Sequence, residues 1–248
     1  MQTTTTFELS AHHTKAILLD IEGTTTPISF VYDVLFPFAR SHLRSFLEQE
    51  FHSAAVQSDL ELLKREYKAE QVPSAPQLDP SSIMSIVSYV EWLMDQDRKS
   101  TALKSLQGKI WEEGYRTGIL RSKVFPDVAP AFRRWRAGGL KVAIFSSGSI
   151  LAQKLLFRHT EHGDLTHFIA KYFDTTTGPK SEVQSYAKIA AALKFKATEV
   201  LFVSDVVAEL DAAGESGMKT LLSVRPGNHP APSDNKHTTI KTFNEIPP

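Results

Sequence analysis

The feature that most constrains this chain is a set of three short apolar runs that end in polar side chains. They are AILLD (16–20), LKVAIFSS (140–147) and VLFVSD (200–205). Short apolar runs of this kind are typical of strands buried in a parallel sheet. Amphipathic helical patterns accompany them, at 127–139, 146–160 and 181–195. Because alternating strands and helices form right-handed βαβ units, we predict an α/β fold with a doubly wound parallel sheet, covered by helices on both faces.

Two segments depart from this alternation. Residues 31–120 show no strand pattern; instead four helical patterns follow one another, at about 31–50, 52–70, 81–97 and 101–117. Pro37 is expected to kink the first of these helices or to mark its first turn. We therefore predict two domains, a core of 1–30 with 121–248 and an all-helical insert of 31–120. The second segment, RPGNHPAPSDNKHTT at 225–239, is polar and rich in proline, and we predict an exposed loop or tail there.

The composition argues against several classes of function. The 28 basic and 28 acidic residues balance, so the chain has no electrostatic footprint for nucleic acid or for an anionic membrane. The absence of cysteine excludes disulfides, thiolate nucleophiles and cysteine-ligated metals. No apolar run approaches the ~20 residues that span a bilayer, and the N-terminus lacks a secretory signal pattern. We predict a cytoplasmic monomer that binds neither nucleic acid nor membrane, with entry into the nucleus left open at this size.

Polar residues at the ends of the three predicted strands are expected to meet at one edge of the sheet, where open parallel sheets bind their ligands. They are Asp20, Glu22, Ser146, Ser147 and Asp205. Mg²⁺ prefers hard oxygen ligands and takes one or two carboxylates, so Asp20 and Asp205 are candidate metal ligands. Backbone N–H groups after Asp20 and around Ser147–Ser149 are placed to cradle the oxygens of a phosphate.

Asp20 and its neighbours have the composition of a site for phosphoryl transfer. A carboxylate can act as a nucleophile through an aspartyl-phosphate, and Asp20 ends a rigid strand. The side chain of Glu22 can act as an acid or base while its main-chain carbonyl faces a metal. Gly23 gives the turn its conformational freedom. Lys180, in the turn before the 181–195 helix, can bind the phosphate and screen it from Asp20.

Each of these residues also has an ordinary structural explanation. An aspartate at a strand end is often a helix N-cap, Ser146 and Ser147 are expected helix caps, and an isolated lysine such as Lys180 lies at the surface. Glu209, four residues past Asp205, is either ordinary helix surface or a residue that orders a metal-bound water. Three strand ends of this kind, together with a lysine in a compatible position, favour the functional explanation.

Several motifs resemble those of a known superfamily. DIEGTTT, SSGS, a downstream lysine and SDVVAE resemble the four motifs of the haloacid dehalogenase-like phosphatases, over residues 16 to about 225. The helical insert resembles the first type of cap in that superfamily. More narrowly, DIEGTTTPISFVYDVLFPFAR, SSGSILAQKLLF and VRPGN resemble the enolase-phosphatases of methionine salvage, also called acireductone synthases. The resemblance implies a Rossmann-like core of the haloacid dehalogenase type with a helical cap.

The resemblance also implies the roles of the site residues. It implies one Mg²⁺ per chain, held by Asp20, Asp205 and Glu22, the last through its main chain, with Asp20 and Glu22 as catalytic residues. It implies that the substrate is bound by Ser146, Ser147 and Lys180. Phosphatases of the wider superfamily usually have aspartate two positions after the nucleophile. Glu22 at that position fits the enolase-phosphatase branch and leaves the proton donor open.

The activity that the resemblance implies is that of a bifunctional enzyme acting on a small phosphorylated substrate. It would enolise 2,3-diketo-5-methylthiopentyl-1-phosphate and then remove the phosphate, giving the acireductone 1,2-dihydroxy-3-keto-5-methylthiopentene. A phosphatase or phosphomutase acting on another small metabolite is an alternative, because superfamily motifs do not fix the substrate. A non-catalytic interaction protein with the same fold is an alternative of another class, against which the intact Asp20, Lys180 and Asp205 argue.

Overall fold

The computed structural model describes residues 13–70, 72–98, 100–230, 232 and 234–247. The chain divides into two compact units. The sheet unit comprises the described parts of 1–31 and 121–248, and the helical unit comprises those of 32–120. Among the helices of these residues, none combines the length and apolar character that crossing a bilayer requires.

The sheet unit is built on a parallel sheet. Its strands, in chain order, are β1 (Ala16–Leu19), β2 (Lys141–Phe145), β3 (Ile169–Phe173), β4 (Val200–Ser204), β5 (Lys219–Ser223) and β6 (Thr238–Ile240). The strand order is β3-β2-β1-β4-β5-β6, with every neighbouring pair parallel. β1 therefore lies between β2 and β4, and Leu19 is in register with Ile144 and Val203. The predicted strands correspond to β1, β2 and β4, which confirms the α/β parallel-sheet fold.

Helices alternate with the strands and also form the whole of the helical unit. In chain order they are α1 (Ile28–Phe30), α2 (Phe36–Glu50), α3 (Ala54–Glu70), α4 (Ile83–Asp95), α5 (Thr101–Arg116), α6 (Val128–Ala137), α7 (Ile150–Arg158), α8 (Val183–Leu193) and α9 (Val207–Glu215). A π-helical turn, Val31–Leu35, precedes α2, and Pro37 lies in the first turn of α2. Of the two expectations for Pro37, the first-turn boundary is confirmed.

Both faces of the sheet are covered, because successive side chains of each strand point to opposite faces. On one face, Ile17 and Leu19 belong to a core with Trp135 of α6. On the other face, Ala16 and Leu18 belong to a core with Tyr186 of α8. β1 is therefore buried along its whole length, and this fixes the direction of the residue that follows it.

The prediction of an exposed loop or tail at 225–239 is wrong at both ends of the segment. Arg225 is only 6% exposed, and Thr238–Ile240 forms β6, which pairs with β5. Strand β6 has only three residues, and two of them are exposed, so it carries no run of apolar residues that could predict it. β3 was missed for a similar reason: its central residues, Ala170 and Lys171, are exposed.

The helical unit packs α2, α3, α4 and α5 around a core of its own. Trp111 of α5 is buried, and its Nε1 donates a hydrogen bond to the carbonyl of Leu35 at 2.8 Å. A Cβ on Gly114 would lie 2.6 Å from the ring of Phe38, so only glycine lets α5 approach α2 this closely. Polar groups are also buried here: Asp59 of α3 forms an ion pair with Lys109 of α5 at 2.5 Å.

Candidate active site

Asp20 stands directly after the central strand and is held rigidly. Its side chain is buried, and its backbone N–H donates to the carbonyl of Val203 at 3.0 Å, which extends the β1–β4 ladder by one bond. The chain then turns sharply. The carbonyl of Ile21 accepts hydrogen bonds from the N–H groups of Thr24, Thr25 and Thr26, all within 3.2 Å. The three threonines are fully buried, so this loop is part of the core rather than a mobile segment.

Gly23 lies at the closest approach in this loop. Its φ of +68° is one that residues with a side chain rarely adopt. A Cβ added there would lie 2.3 Å from Oδ2 of Asp205 and 2.9 Å from Oδ1 of Asn228. Glycine therefore allows the loop after β1 to pass directly against the residue that follows β4, which brings the first and last predicted motifs together.

Lys180 lies where the sequence predicted it. Its Nζ is 2.6 Å from Oδ1 of Asp20 and 2.7 Å from Oε2 of Glu209, and its side chain is only 10% exposed. The main chain of Lys180 is fixed by the hydroxyl of Tyr186, which donates to its carbonyl at 2.7 Å. Burial alone would lower the pKa of Lys180, but the charges of Asp20 and Glu209 outweigh it and raise the pKa. The lysine is therefore a permanent cation in contact with Asp20.

Glu209 is not ordinary helix surface, so that expectation is wrong. It lies in the first turn of α9, and the hydroxyl of Ser204 donates to its Oε2 at 2.9 Å. Burial and the charge of Asp20 raise its pKa, although Lys180 opposes the rise. The sequence signal for this residue was its spacing of four from Asp205, which places it one helical turn beyond the strand end.

Asp205 follows β4 in the same way that Asp20 follows β1. Burial, and next the charge of Asp20, raise the pKa of Asp205 to about 7, and the charge of Glu22 adds to the rise. The cluster thus holds three carboxylates, Asp20, Asp205 and Glu209, but Lys180 is the one ammonium group that the described contacts place among them. Such an excess of negative charge is costly in a buried site unless a cation joins it.

Ser146 and Ser147 follow β2, the neighbour of β1, at the same edge of the sheet as Asp20. Ser146 is buried, and its Oγ accepts from the N–H of Gly148 at 3.1 Å. The expectation that these two serines cap the next helix is wrong. Ser149 is the N-cap of α7, and its side chain accepts from the N–H of Ala152.

The loop of serines is held by a residue that the sequence analysis missed. Gln153 of α7 is buried, and its Nε2 donates to the carbonyls of Gly148 and Phe173, both at 2.8 Å. It therefore ties the loop after β2 to the end of β3. A glutamine one turn into a helix usually lies on the surface, so no local signal could have revealed this role.

A second supporting element begins at the last residue of β5, and we call residues 223–228 the clamp segment. Ser223 Oγ and Asn228 Nδ2 both donate to the carbonyl of Gly23, at 3.1 and 2.9 Å. Arg225 Nε donates to the carbonyl of Thr24 at 3.3 Å. The clamp segment thus fixes the loop that carries Asp20. The VRPGN motif was noted in the sequence, but its contact with this loop was not predicted.

Arg225 is itself fixed from several sides. Its guanidinium lies 4.7 Å from the ring centre of Phe125 and 4.5 Å from that of Phe243, and it pairs with Asp127 at 2.8 Å. Burial lowers the pKa of Arg225, and Asp127 counteracts this. The arginine thus connects α6, the C-terminal part of the chain and the loop after β1.

Residues 14–217 match the model of a family described as haloacid dehalogenase-like hydrolase. The chain is 52% identical over 230 residues to Enolase-phosphatase E1 of Synechococcus elongatus, which covers 93% of this chain and 96% of the relative. It is 46% identical over 241 residues to Enolase-phosphatase E1 of Sorangium cellulosum, covering 97% and 100%. The chain belongs to the enolase-phosphatase E1 family. The family resemblance read from the motifs is thereby confirmed.

Other members of the enolase-phosphatase E1 family and a solved structure extend this likeness. The chain is 44% identical over 240 residues to a protein of Arabidopsis thaliana named probable bifunctional methylthioribulose-1-phosphate dehydratase/enolase-phosphatase E1, of which it covers 47%. The crystal structure of the UTR4 protein of Saccharomyces cerevisiae has a TM-score of 0.78 at 35% identity, covering 93% of this chain and 99% of that one. CbbY of Rhodobacter sphaeroides, at 14% identity and a TM-score of 0.56, shares the fold.

Proposed function

We propose that this chain is a bifunctional enolase-phosphatase of methionine salvage. It enolises 2,3-diketo-5-methylthiopentyl-1-phosphate and then hydrolyses the phosphate ester, releasing 1,2-dihydroxy-3-keto-5-methylthiopentene and phosphate. The observation that carries the proposal is the 52% identity to an enolase-phosphatase E1 over 96% of its length. The cluster of Asp20, Lys180, Asp205 and Glu209 supports it, because Lys180 contacts Asp20 and Glu209 and the charge of Asp20 acts on Asp205.

In the phosphatase step Asp20 is the nucleophile. Lys180 contacts Oδ1, which leaves Oδ2 to attack phosphorus. A bond forms between Oδ2 and phosphorus while the ester bond to the substrate oxygen breaks, and that oxygen keeps the electron pair. Glu22, two residues further along the turn, donates the proton that the leaving oxygen takes up. Water then attacks phosphorus, returns a proton to Glu22 and frees Asp20.

Lys180, Ser146 and Ser147 bind the phosphorylated substrate in this proposal. The carboxylate of Asp20 and a phosphate dianion repel each other. The ammonium of Lys180, held between Asp20 and Glu209, reduces that repulsion without any rearrangement. The two serines and the N–H groups of their loop supply donors for phosphate oxygens at the same edge of the sheet.

The residues at this edge fit one Mg²⁺, which Asp20, Asp205 and the main-chain carbonyl of Glu22 would hold. No group of three His, Asp or Glu side chains within the described ranges is arranged to bind a metal alone, so main-chain and water oxygens must complete the set. The fit is supported by the excess of carboxylates and by the raised pKa of Asp205, since both call for an added positive charge. When bound, Mg²⁺ would neutralise charge on the phosphate and polarise the substrate carbonyl that becomes the enol.

Further parts of the proposal come from the sequence and the family resemblance. We infer that the helical unit serves as the cap and that the substrate is a small phosphorylated molecule. The monomeric state, the absence of nucleic-acid and membrane partners, and the cytoplasmic location with nuclear entry left open stay predictions. Size-exclusion chromatography with light scattering tests the first of these.

The experiment that tests the function supplies the diketo phosphate with Mg²⁺ and follows two signals, the ultraviolet absorbance of the enol and the free phosphate. We expect both signals, with the enol appearing first. Phosphate without the enol signal would instead indicate a phosphatase of another kind. No release from this substrate or from a panel of phosphoesters would indicate the non-catalytic alternative.

A further inference from the structure

The side chain of Asn228, at the end of the clamp segment, is fixed in one orientation. Its Nδ2 donates to the carbonyl of Gly23 at 2.9 Å and to that of Ser223 at 3.1 Å, and its backbone N–H donates to the carbonyl of Arg225. Exchanging the amide nitrogen and oxygen would place an acceptor against two carbonyl oxygens. The hydrogen bonds therefore decide which atom is the oxygen.

The amide oxygen of Asn228 is buried but has no hydrogen-bond donor within the part of the chain that the structure describes. Buried polar atoms nearly always have a partner, and one without a partner requires an explanation. A buried amide oxygen without a donor has lost its hydration and gained nothing in return. The unpaired Asn228 Oδ1 thus points to a partner beyond the described residues.

The position of Asn228 Oδ1 indicates which kind of group could bind to it. A Cβ on Gly23 would lie 2.9 Å from Asn228 Oδ1 and 2.3 Å from Asp205 Oδ2, so both oxygens face the same point. Both atoms are acceptors. A cation beside Asp205, or a water bound to that cation, would join two acceptor oxygens that face one point.

We propose that Asn228 is a positioning residue for the divalent cation. Its Nδ2 fixes the Gly23 carbonyl, and its Oδ1 supplies a neutral oxygen to the hydration shell of the cation held by Asp20 and Asp205. This inference rests on the proposed cation site.

The opposing explanation is that Asn228 only anchors the loop through Nδ2. The chain offers a matched control for it, because Ser223 Oγ donates to the same carbonyl of Gly23 and is also buried. Ser223→Ala removes one anchor and no oxygen aimed at Asp205. Asn228→Asp loses the amide donor but keeps an oxygen, and Asn228→Ala loses both.

The experiment measures Mn²⁺ affinity of the full chain without substrate, by electron paramagnetic resonance of free Mn²⁺ and by calorimetry. We expect Asn228→Ala to bind Mn²⁺ roughly tenfold more weakly, the size typical for residues that orient a metal shell. Asn228→Asp should bind at least as tightly as wild type, and Ser223→Ala should match wild type. Thermal melting with EDTA checks that each variant is folded.

Wild-type affinity in folded Asn228→Ala would overturn the inference. If Asn228→Ala does not fold, the other two variants decide: Asn228→Asp binding weakly, or Ser223→Ala losing as much affinity as expected for Asn228→Ala, would show an anchor alone. No Mn²⁺ binding by wild type would overturn both the inference and the cation site. Wild-type binding of Mn²⁺ with no conversion of the diketo phosphate would contradict the proposed function and leave this inference standing.

Discussion

The two units of the molecule each contain a buried lysine–aspartate pair. In the sheet unit, Lys180 lies 2.6 Å from Asp20; in the helical unit, Lys109 lies 2.5 Å from Asp59. Both aspartates are at least nine-tenths buried. Distance and burial alone therefore do not distinguish a pair that stabilises a fold from one that performs chemistry.

The neighbours of the two pairs make the distinction. Ser105 donates to Asp59 at 2.7 Å and contacts Lys109 at 2.9 Å, so one carboxylate, one ammonium and one hydroxyl satisfy one another. Lys180 instead faces a second carboxylate, Glu209, and the cluster includes Asp205 with its raised pKa. A balanced pair is typical of structure, and an unbalanced cluster at a strand edge is typical of a binding site.

The largest expected effect is on the rate of phosphate release, and it should differ between variants of Asp20 and Asp59. Asp20→Asn should lower phosphate release by a factor on the order of 10⁶, the size measured when a hydrolase loses its nucleophile, because an amide does not attack phosphorus. Asp59→Asn should keep kcat/KM but lower the free energy of unfolding by up to about 3 kcal/mol, since Lys109 loses its partner. Phosphate assays and denaturant titrations check both. Near-normal turnover in folded Asp20→Asn would contradict the nucleophile assignment.

The two lysines should differ next. Lys180→Met should lose about 3 kcal/mol of transition-state stabilisation, roughly 10²–10³-fold in kcat/KM, and bind substrate more weakly. Lys180→Arg should recover little, because a planar fork does not replace a point charge. Lys109→Met should affect only stability, because it leaves the carboxylate of Asp59, which is 8% exposed, without its cation. Steady-state kinetics of the three variants test these expectations. Unchanged kinetics in Lys180→Met would show that Lys180 has no role in substrate binding or catalysis.

The unbalanced charge should also appear in the pH dependence of stability. The pKa of Asp205 is raised to about 7 from 3.8, so the folded chain keeps a proton that the unfolded chain releases between about pH 4 and 7. Without metal, the free energy of unfolding should therefore fall as the pH rises through this window. Mg²⁺ should restore stability at pH 8 and have little effect at pH 5. Thermal melts with EDTA or Mg²⁺ test this, and Asp205→Asn should weaken both responses, leaving the part that comes from the raised pKa of Glu209.

The smallest effect compares two helix caps. Ser82 caps α4 in the helical unit and Ser149 caps α7 in the sheet unit, each accepting one backbone N–H. Replacing either with alanine should cost about 1 kcal/mol of stability. Ser149→Ala should also lower kcat/KM, because the cap continues directly from the loop of Ser146 and Ser147. Equal kinetics in the two variants would show that the α7 cap does not support substrate binding.

The sequence could predict those elements whose own residue pattern shows whether they are buried. β1, β2 and β4 are inner strands, so their side chains form nearly continuous apolar runs. Asp20 and Asp205 could be placed because each ends such a run and parallel strands end at one edge. Lys180 could be placed because its turn precedes the helix that leads into β4.

What could not be predicted depends on contacts between distant parts of the chain. β3 and β6 are edge strands, and their partly exposed residues interrupt the apolar pattern. The inner strand β5 was not predicted either, because its first two residues, Lys219 and Thr220, are polar and half-buried. Glu209 has the sequence context of any glutamate in a first helical turn, until Lys180 is placed beside it. Gln153 and Asn228 donate hydrogen bonds to main-chain carbonyls of other residues. Every residue has such a carbonyl, so the sequence does not indicate which one a side chain will contact.

The central position of β1 in the sheet has a consequence for synthesis on the ribosome. β1 is made first, yet residues 20–140 must follow before its neighbour β2 exists. At a synthesis rate of about 5–20 residues per second, the apolar run Ala16–Leu19 stays without a partner strand for on the order of 10 s. The helices of 32–120, whose contacts are local, can form in that interval. Lys15 and Asp20 are the charged residues on either side of this unpaired strand, and we expect them to reduce its aggregation during synthesis. Asp20 would thus have a role in folding as well as in catalysis.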